Sequence, residues 1–244
     1  MSLLDEADPR LSRYQQLRDV IVARIVAGAW RAGDAIPTEA ELSREAGVAV
    51  GTVRKAIDLL VAEGVLDRIQ GRGTFVRRPS LDRSLFRFFR LTDGDGRQAV
   101  PQARILSRGL APCPAEAAEA LGLTTGTAAL RLERLRLDGA TPLLAEEIWL
   151  APDRFAPLEE LAADAFGDLL YPLYERLCGE VVAMADETLT ASSATPALAA
   201  RLGLPAGAPV MVIERIARGY DRHPIEWRRS HGAAERFRYR VEIR

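Results

Sequence analysis

The sequence predicts an α+β chain of two domains: a helical N-terminal domain closed by a short β-hairpin, then an antiparallel sheet domain with flanking helices. Three observations carry this. Residues 38–63 hold two helix-patterned stretches joined by a tight glycine turn. The segment from Leu121 to Arg134 aligns without gaps to the segment from Leu202 to Arg215, an offset of 81 residues. Near the C-terminus Phe237, Tyr239, Val241 and Ile243 alternate with Arg238, Arg240, Glu242 and Arg244, the period of a half-buried strand.

Composition sets bounds on these elements. A chain of 244 residues is long enough for two modest cores. Its formal net charge is −1, so it is no polycation, and nucleic acid would have to be met by a local basic surface. Lys55 is the only lysine, which reads first as codon bias. Cys113 and Cys178 lie far apart with no Cys-x-x-Cys spacing, which argues against a zinc site and for a reducing cytoplasm, with a single disulfide left open. The acidic start Met1-Ser-Leu-Leu-Asp-Glu is no secretory signal. No apolar run approaches the roughly 18 residues of a spanning helix. A soluble, cytoplasmic protein without metal or cofactor is expected.

Residues 1–12 read as a loose arm, and residues 13–27 as a first helix burying Leu17, Ile21 and Ile25, stopped by Gly28. Thr38 with Glu41 three residues on is a capping box that starts the second helix. That helix stops at Ala46-Gly47, where glycine lets the backbone turn. A third helix from about 50 to 63 buries Val53, Ala56, Ile57, Leu60 and Val61, leaving Gly51, Thr52, Arg54 and Lys55 outside at its N-terminal end. Two packed helices with such a turn are either a plain helical hairpin or a helix-turn-helix that offers small and basic residues to a major groove. The next residues favour the second. Val65–Ile69 and Thr74–Val76 read as short strands around Gln70-Gly71-Arg72-Gly73, where glycines allow close approach to a phosphate and arginine supplies charge.

Residues 77–80, Arg-Arg-Pro-Ser, read as a linker, residues 84–91 as a phenylalanine-rich strand, and residues 101–107 as extended. In the repeat, each copy passes from a helix (115–121, then 196–202) through a glycine turn into a strand. Each strand is expected to end at Glu-Arg, followed by a turn and a proline-led second strand. Two copies make a pseudo-symmetric antiparallel sheet with helices on one side the economical solution. Between them residues 155–179 read as helical, with Leu158, Leu161, Leu170, Leu173, Tyr174 and Leu177 as core, and residues 180–191 as a strand.

Residues 13–78 resemble the N-terminal domain of GntR-family bacterial regulators. The landmarks are Tyr14, Leu17, Ile21 and Ile25, Gly33-Asp34, Ile36-Pro37-Thr38-Glu39, Thr52-Val53-Arg54, Glu63-Gly64 and the wing Gly71-Arg72-Gly73-Thr74-Phe75-Val76, in order and at family spacing. Residues 104–243 resemble the UTRA effector-sensing domain of the HutC branch. That match is carried by Ile105-Leu106-Ser107, Leu121-Gly122-Leu123, Glu133-Arg134-Leu135-Arg136, Asp138-Gly139, Pro142, Glu146, Leu170-Tyr171, Pro224-Ile225-Glu226 and Arg236-Phe237-Arg238-Tyr239. The resemblance implies a chorismate-lyase-like sheet that senses a small metabolite. The domains expected are residues 10–78 (helix-turn-helix 38–57, wing 65–76), a linker and first strand over 79–100, and the sensing domain over 101–244. It also implies a DNA-contacting set of Thr38, Glu39, Gly51, Thr52, Arg54, Lys55, Gln70, Gly71, Arg72, Gly73 and Thr74; since one module offers too little base contact, a homodimer on an inverted-repeat operator is expected.

Arg134 and Arg136 are two apart on a strand and share a face, and Glu146 sits in the apolar row Leu144, Ile148, Leu150. Taken alone, these residues make either a structural salt-bridge cluster or a small polar pocket. In sugar-phosphate-sensing relatives the matching Arg-x-Arg and glutamate contact the effector, and Glu226 corresponds to a further ligand-side carboxylate. Leu169 stands where many relatives have a serine that helps hold phosphate, so phosphate, carboxylate and other small anions remain open. Trp227-Arg228-Arg229 reads equally as more charge at that end or as a solvated strand edge. Val50 stands where relatives carry an arginine for a guanine edge, so a thymine-leaning base choice is expected there. The rival functions are an enzyme, for which no nucleophile, imidazole or metal constellation is found, and a constitutive DNA binder without effector.

Overall fold

The computed structural model describes residues 3–4, 7–79 and 100–237. The chain divides into two compact units, Met1–Pro79 with Gly219–His223, and Ser80–Arg218 with Pro224–Arg244.

In the first unit α1 (Arg13–Val26), α2 (Glu39–Ala46) and α3 (Val50–Ala62) precede β1 (Leu66–Ile69) and β2 (Gly73–Val76). The capping box holds: Thr38 N donates to Glu41 Oε2 at 2.8 Å and Glu41 N to Thr38 Oγ1 at 3.3 Å. Gly47 caps α2 at φ 64, in the left-handed region where a side chain would be strained. Leu17, Ile21, Ile25, Leu42, Val53, Ile57 and Leu60 are buried and form the core, joined by Val65, Leu66 and Val76. Burying each such side chain stabilises by roughly 1.5–3 kcal/mol, which outweighs the modest helix propensity of Val and Ile here. β1 and β2 pair antiparallel, from Leu66↔Val76 to Ile69↔Gly73, and Ala35 bridges to Phe75.

The second unit is one antiparallel sheet. Its strands are β3 (Gln102–Pro112), β4 (Ala128–Asp138), β5 (Thr141–Leu150), β6 (Met184–Ser193), β7 (Pro209–Arg218) and β8 (Pro224–Ala233), in the spatial order β3-β4-β5-β8-β7-β6. Its helices are α4 (Ala115–Leu121), the short α5 (Pro152–Phe155), α6 (Leu170–Cys178) and α7 (Pro196–Leu202). The sequence repeat is a structural one. Gly126 N donates to Cys113 O at 2.9 Å and Gly207 N to Ala194 O at 2.8 Å, bonds displaced by the same 81 residues. The two halves meet at β5–β8, where Glu147 opposes Arg229.

Helices cover both faces of this sheet rather than the one expected. Leu130 and Leu132 of β4 pack with Leu170, Leu173 and Tyr174 of α6. The neighbouring Ala129 packs with Ala117, Ala118 and Leu121 of α4, and Leu135 and Leu137 pack with Ala199 and Leu202 of α7. Alternate strand residues point to opposite faces, so α4 and α7 lie on one side and α6 on the other. The intervening segment is also not a continuous helix. After α5 it runs through 3₁₀ turns at Ala156–Leu158 and Ala163–Phe166 to α6. Gly167, at φ 61 and ψ −170, takes a backbone no helix can continue through. Leu177, expected in the core, is 37% exposed because it faces away from the cluster that buries Leu173 and Tyr174. Nor do the strands stop at Glu-Arg: β4 runs four residues past Arg134 and β7 three past Arg215. The strands expected over 84–91 and 237–243 lie outside the described residues, apart from Phe237 at the end of a 3₁₀ turn.

Candidate functional site

In the first unit α3 begins at Val50, which is 41% exposed, and Ala49 at its N-cap makes no side-chain bond. Gly51 has open space where a Cβ would stand. Arg54 lies on the exposed side of the helix, but it is not loose: its Nη2 donates to Glu39 Oε2 at 2.9 Å and its Nε at 3.2 Å. The Glu39 carboxylate raises the Arg54 pKa further above its ordinary value. Thr52 is half-buried, and the Lys55 ammonium stands 4.0 Å from the centroid of the Tyr14 ring. The Thr38 hydroxyl is committed to the cap, donating to Glu41 Oε2 at 2.7 Å. At the hairpin tip Gln70, Gly71, Arg72 and Gly73 are exposed and Thr74 half-buried, and Arg72 leans over the Phe75 ring at 5.8 Å. Gly71 at φ 73 and Gly73 at φ 118 let the tip turn this sharply.

In the second unit the strand alternation gathers arginines beneath α6. Arg134 and Arg136 from β4, Arg228 from β8 and Arg215 from β7 are all buried, with Arg136 wholly inaccessible. The buried carboxylates are Glu146 on β5 and Glu226 on β8. Arg134 Nε donates to Glu146 Oε2. Arg228 reaches Glu146 Oε1 at 3.5 Å and donates to Glu226 Oε2 at 2.7 Å. Ser230 Oγ donates to Glu146 Oε1 at 3.2 Å. Glu226 is held further by Tyr174 OH at 2.8 Å and Tyr171 OH at 3.2 Å. Arg215 donates to Tyr171 OH at 3.0 Å and to Glu187 Oε1 at 2.8 Å.

Four buried guanidinium groups thus face two buried carboxylates, with Glu187 and the exposed Asp168 at the margin, so the buried charge is net positive. Several of their donors are left over. Arg134 Nη1, Arg136 Nε and Nη2, and Arg228 Nε are buried without a hydrogen-bond partner among the described residues. Leaving a buried donor unmet costs about 1–3 kcal/mol, more on a charged group, so such a set calls for an account. Arg136 is the most telling. Its Nη1 donates to the carbonyl of Asp168, just before α6, while Nε and Nη2 form the fork that grips a carboxylate or phosphate in two parallel bonds.

The electrostatics agree. Burial pulls the Arg136 guanidinium down to about 10, and the Arg134 and Arg228 charges add to this, yet it stays charged at neutral pH. Burial alone would raise the Glu146 carboxyl, but Arg134, Arg228 and Arg136 outweigh it and hold it at about 2. Burial, and then Glu226, push the Tyr174 hydroxyl well above its usual range, so it acts as a donor.

All four residues expected at this site are brought together. Glu226, however, has both oxygens occupied by tyrosines and Arg228. Arg228 is no solvated strand edge, because β8 is central in the sheet and β5 and β7 flank it. Sequence reasoning missed Arg215, Ser230 and the roles of Tyr171 and Tyr174. A signal for Arg215 was present, since the repeat aligns it with Arg134. Among the described residues no group of three or more His, Cys, Asp or Glu could hold a metal, and both cysteines are free. No helix there is long and apolar enough to cross a membrane.

Residues 13–76 match the family model described as bacterial regulatory proteins, gntR family, and residues 96–238 match the UTRA domain. Over 98% of this chain and 91% of its relative, the sequence is 32% identical to an HTH-type transcriptional regulator of Mycobacterium tuberculosis. It is 30% identical to the HTH-type transcriptional repressor NagR of Bacillus subtilis, over 83% of this chain and 82% of that one. Among solved structures, the ligand-binding domain of a GntR-family transcriptional regulator from Bordetella bronchiseptica superposes with a TM-score of 0.58 at 30% identity, covering 65% of this chain and 96% of that one.

Proposed function

The chain belongs to the GntR family of bacterial regulatory proteins and carries a UTRA domain, which makes it a transcriptional regulator, and we propose that it is an effector-controlled repressor. In this reading it acts in the cytoplasm as a homodimer on an inverted-repeat operator. A small organic anion bound by the buried arginines sets its affinity for DNA.

The observation that carries the reading is the set of unpartnered guanidinium N–H groups on Arg134, Arg136 and Arg228, in a cluster with more buried positive than negative charge. A purely structural ion cluster would satisfy its donors, since each one unmet works against folding. An anion at the Arg136 fork would accept from Nε and Nη2, with Arg134 Nη1 and Arg228 Nε within the same cluster. Glu146 and Glu226 then serve to fix and partly neutralise the arginines. Leu169 at the N-cap of α6 supplies no side-chain hydrogen bond, so recognition falls to the guanidinium groups.

On the DNA side, Gly51, Thr52 and Arg54 would enter the major groove and Gln70 to Thr74 would track the backbone. Dimerisation follows from economy of contact: one module offers too few base contacts for useful selectivity, and a two-fold pair doubles them. A dimer neutralising about 6–10 phosphates loses roughly three to five decades of affinity between 50 and 200 mM salt.

The test is a thermal-shift screen of small carboxylates and sugar phosphates, followed by titration of the upstream DNA with and without the hit. A hit should stabilise the wild-type chain, leave Arg136→Met unmoved, and change the affinity for DNA. Equal shifts in both proteins would remove the arginine cluster from the reading, and a salt-independent DNA affinity would remove the operator.

A further inference from the structure

Glu39 is an acidic side chain on a surface assigned to DNA, where a carboxylate repels phosphate. It stands at the first position of α2, with its backbone fixed by the Thr38 cap. One of its oxygens takes both Nε and Nη2 of Arg54 on α3, at 3.2 and 2.9 Å. The other lies 3.4 Å from Nη2 of Arg68 on β1, whose Nη1 donates to Asp58 Oδ1 at 2.8 Å. A single carboxylate therefore ties an arginine of the exposed helix to an arginine of the hairpin strand.

As a stability device this is weak. The Arg54 side chain is 60% exposed, and pairs of this kind contribute little. Its geometric effect is larger. Glu39 occupies the Nε–Nη2 edge of Arg54, which narrows the orientations open to the guanidinium, and leaves Nη1 without a hydrogen-bond partner among the described residues. An arginine end fixed in this way can give two hydrogen bonds to O6 and N7 of a guanine, whereas a free one settles on any phosphate.

We propose that Glu39 is a positioning residue for DNA sequence selection: it trades phosphate affinity for a fixed Arg54. This rests on the assignment of α3 to the major groove. The experiment takes a duplex selected by the wild-type full chain from a randomised pool and a scrambled duplex of equal length, and measures both affinities for wild type, Glu39→Gln, Glu39→Asp and Arg54→Ala.

In Glu39→Gln the ratio of selected to scrambled affinity should fall about tenfold. Scrambled-DNA affinity should rise, with the dimer's salt slope steeper by about two, as the freed arginine of each protomer engages one more phosphate. Glu39→Asp keeps the charge but is too short to hold the edge of Arg54, and should lose selection with a smaller gain in scrambled affinity than Glu39→Gln. In an Arg54→Ala background Glu39→Gln should cost no further selection. A ratio within twofold of wild type, or the same loss without Arg54, overturns the role of Glu39. A wild-type chain that selects no sequence overturns the groove assignment instead.

Discussion

Arg54 and Arg134 make the same bond, guanidinium to glutamate, in opposite surroundings. The Arg54–Glu39 pair lies at the surface of the first unit. The Arg134–Glu146 pair, with side chains 2% and 1% exposed, lies inside the second. At the surface, water and salt screen the charges, so the pair adds little to stability. Inside, both charges have lost their hydration and depend on each other, and Glu146 depends on Arg228 as well. The outer pair is suited to orienting a guanidinium that still faces solvent. The inner cluster is suited to noticing whether one more anion is present.

The comparison is most directly broken at Glu146. Glu146→Ala strands Arg134 in a buried site and takes one of two carboxylates from Arg228, and removing one partner of a buried pair typically costs about 3–5 kcal/mol. Urea unfolding should show that loss for Glu146→Ala, and a loss below about 1 kcal/mol would mean that water reaches the site.

Acid offers a gentler cut. The Glu146 carboxyl sits at about 2 in the folded chain against an ordinary value of 4.5. A depressed folded value means a contribution fully present above the unfolded value and lost as pH falls from about 4.5 towards 2. Taken over that interval it amounts to roughly 3 kcal/mol. Glu146→Gln should flatten this part of the stability–pH curve, measured by chemical denaturation at stepped pH.

Arg136→Met separates fold from response. The guanidinium is buried with its pKa depressed and two donors unmet, so an apolar side chain of similar length should leave stability equal or higher. Saturating anion, at about 100 times its dissociation constant, should stabilise wild type by roughly 2.7 kcal/mol and this variant not at all. Calorimetric unfolding with and without anion reads both quantities.

At the surface the expected effects shrink and move from stability to selection. Val50→Arg should add preference for guanine worth about 1–3 kcal/mol at one base, read by randomised-site selection. The same base at the same stringency for both proteins would show that residue 50 does not reach the groove. Arg68→Ala, which removes the exposed bonds to Glu39 and Asp58, should cost less than about 1 kcal/mol of stability, and less again in high salt.

Legibility in the sequence follows the same division. The first unit could be read almost residue by residue because its determinants are local: a cap, a turn glycine, a 3.6-residue period and a glycine hairpin. α2 and α3 fall within a residue of expectation. In the second unit the repeat revealed β4, β5, β7 and β8 and the helices that precede β4 and β7. It could not reveal the broken segment before α6, where Gly167 and a tertiary cluster override the helical pattern. The arginine cluster was half legible. Arg134, Arg136 and Glu146 follow from parity along one hairpin. Arg228 and Ser230 depend on which strand lies beside β5, and that pairing spans about 80 residues of chain, beyond any periodicity argument.

That pairing bears on folding rate. Each half of the sheet, β3-β4-β5 and β6-β7-β8, is built of strands that follow one another, whereas β5–β8 joins the halves across the long connection. Local strand pairs zip early, and the distant pair must close a large loop, so the halves should form first and dock last. Arg134, Arg136 and Glu146 come from one half, and Arg215, Glu226, Arg228 and Ser230 from the other. A molecule gripped from both sides of this joint would act after the rate-limiting step. It would prolong the life of the assembled sheet, slowing its opening, and leave the speed of its assembly unchanged.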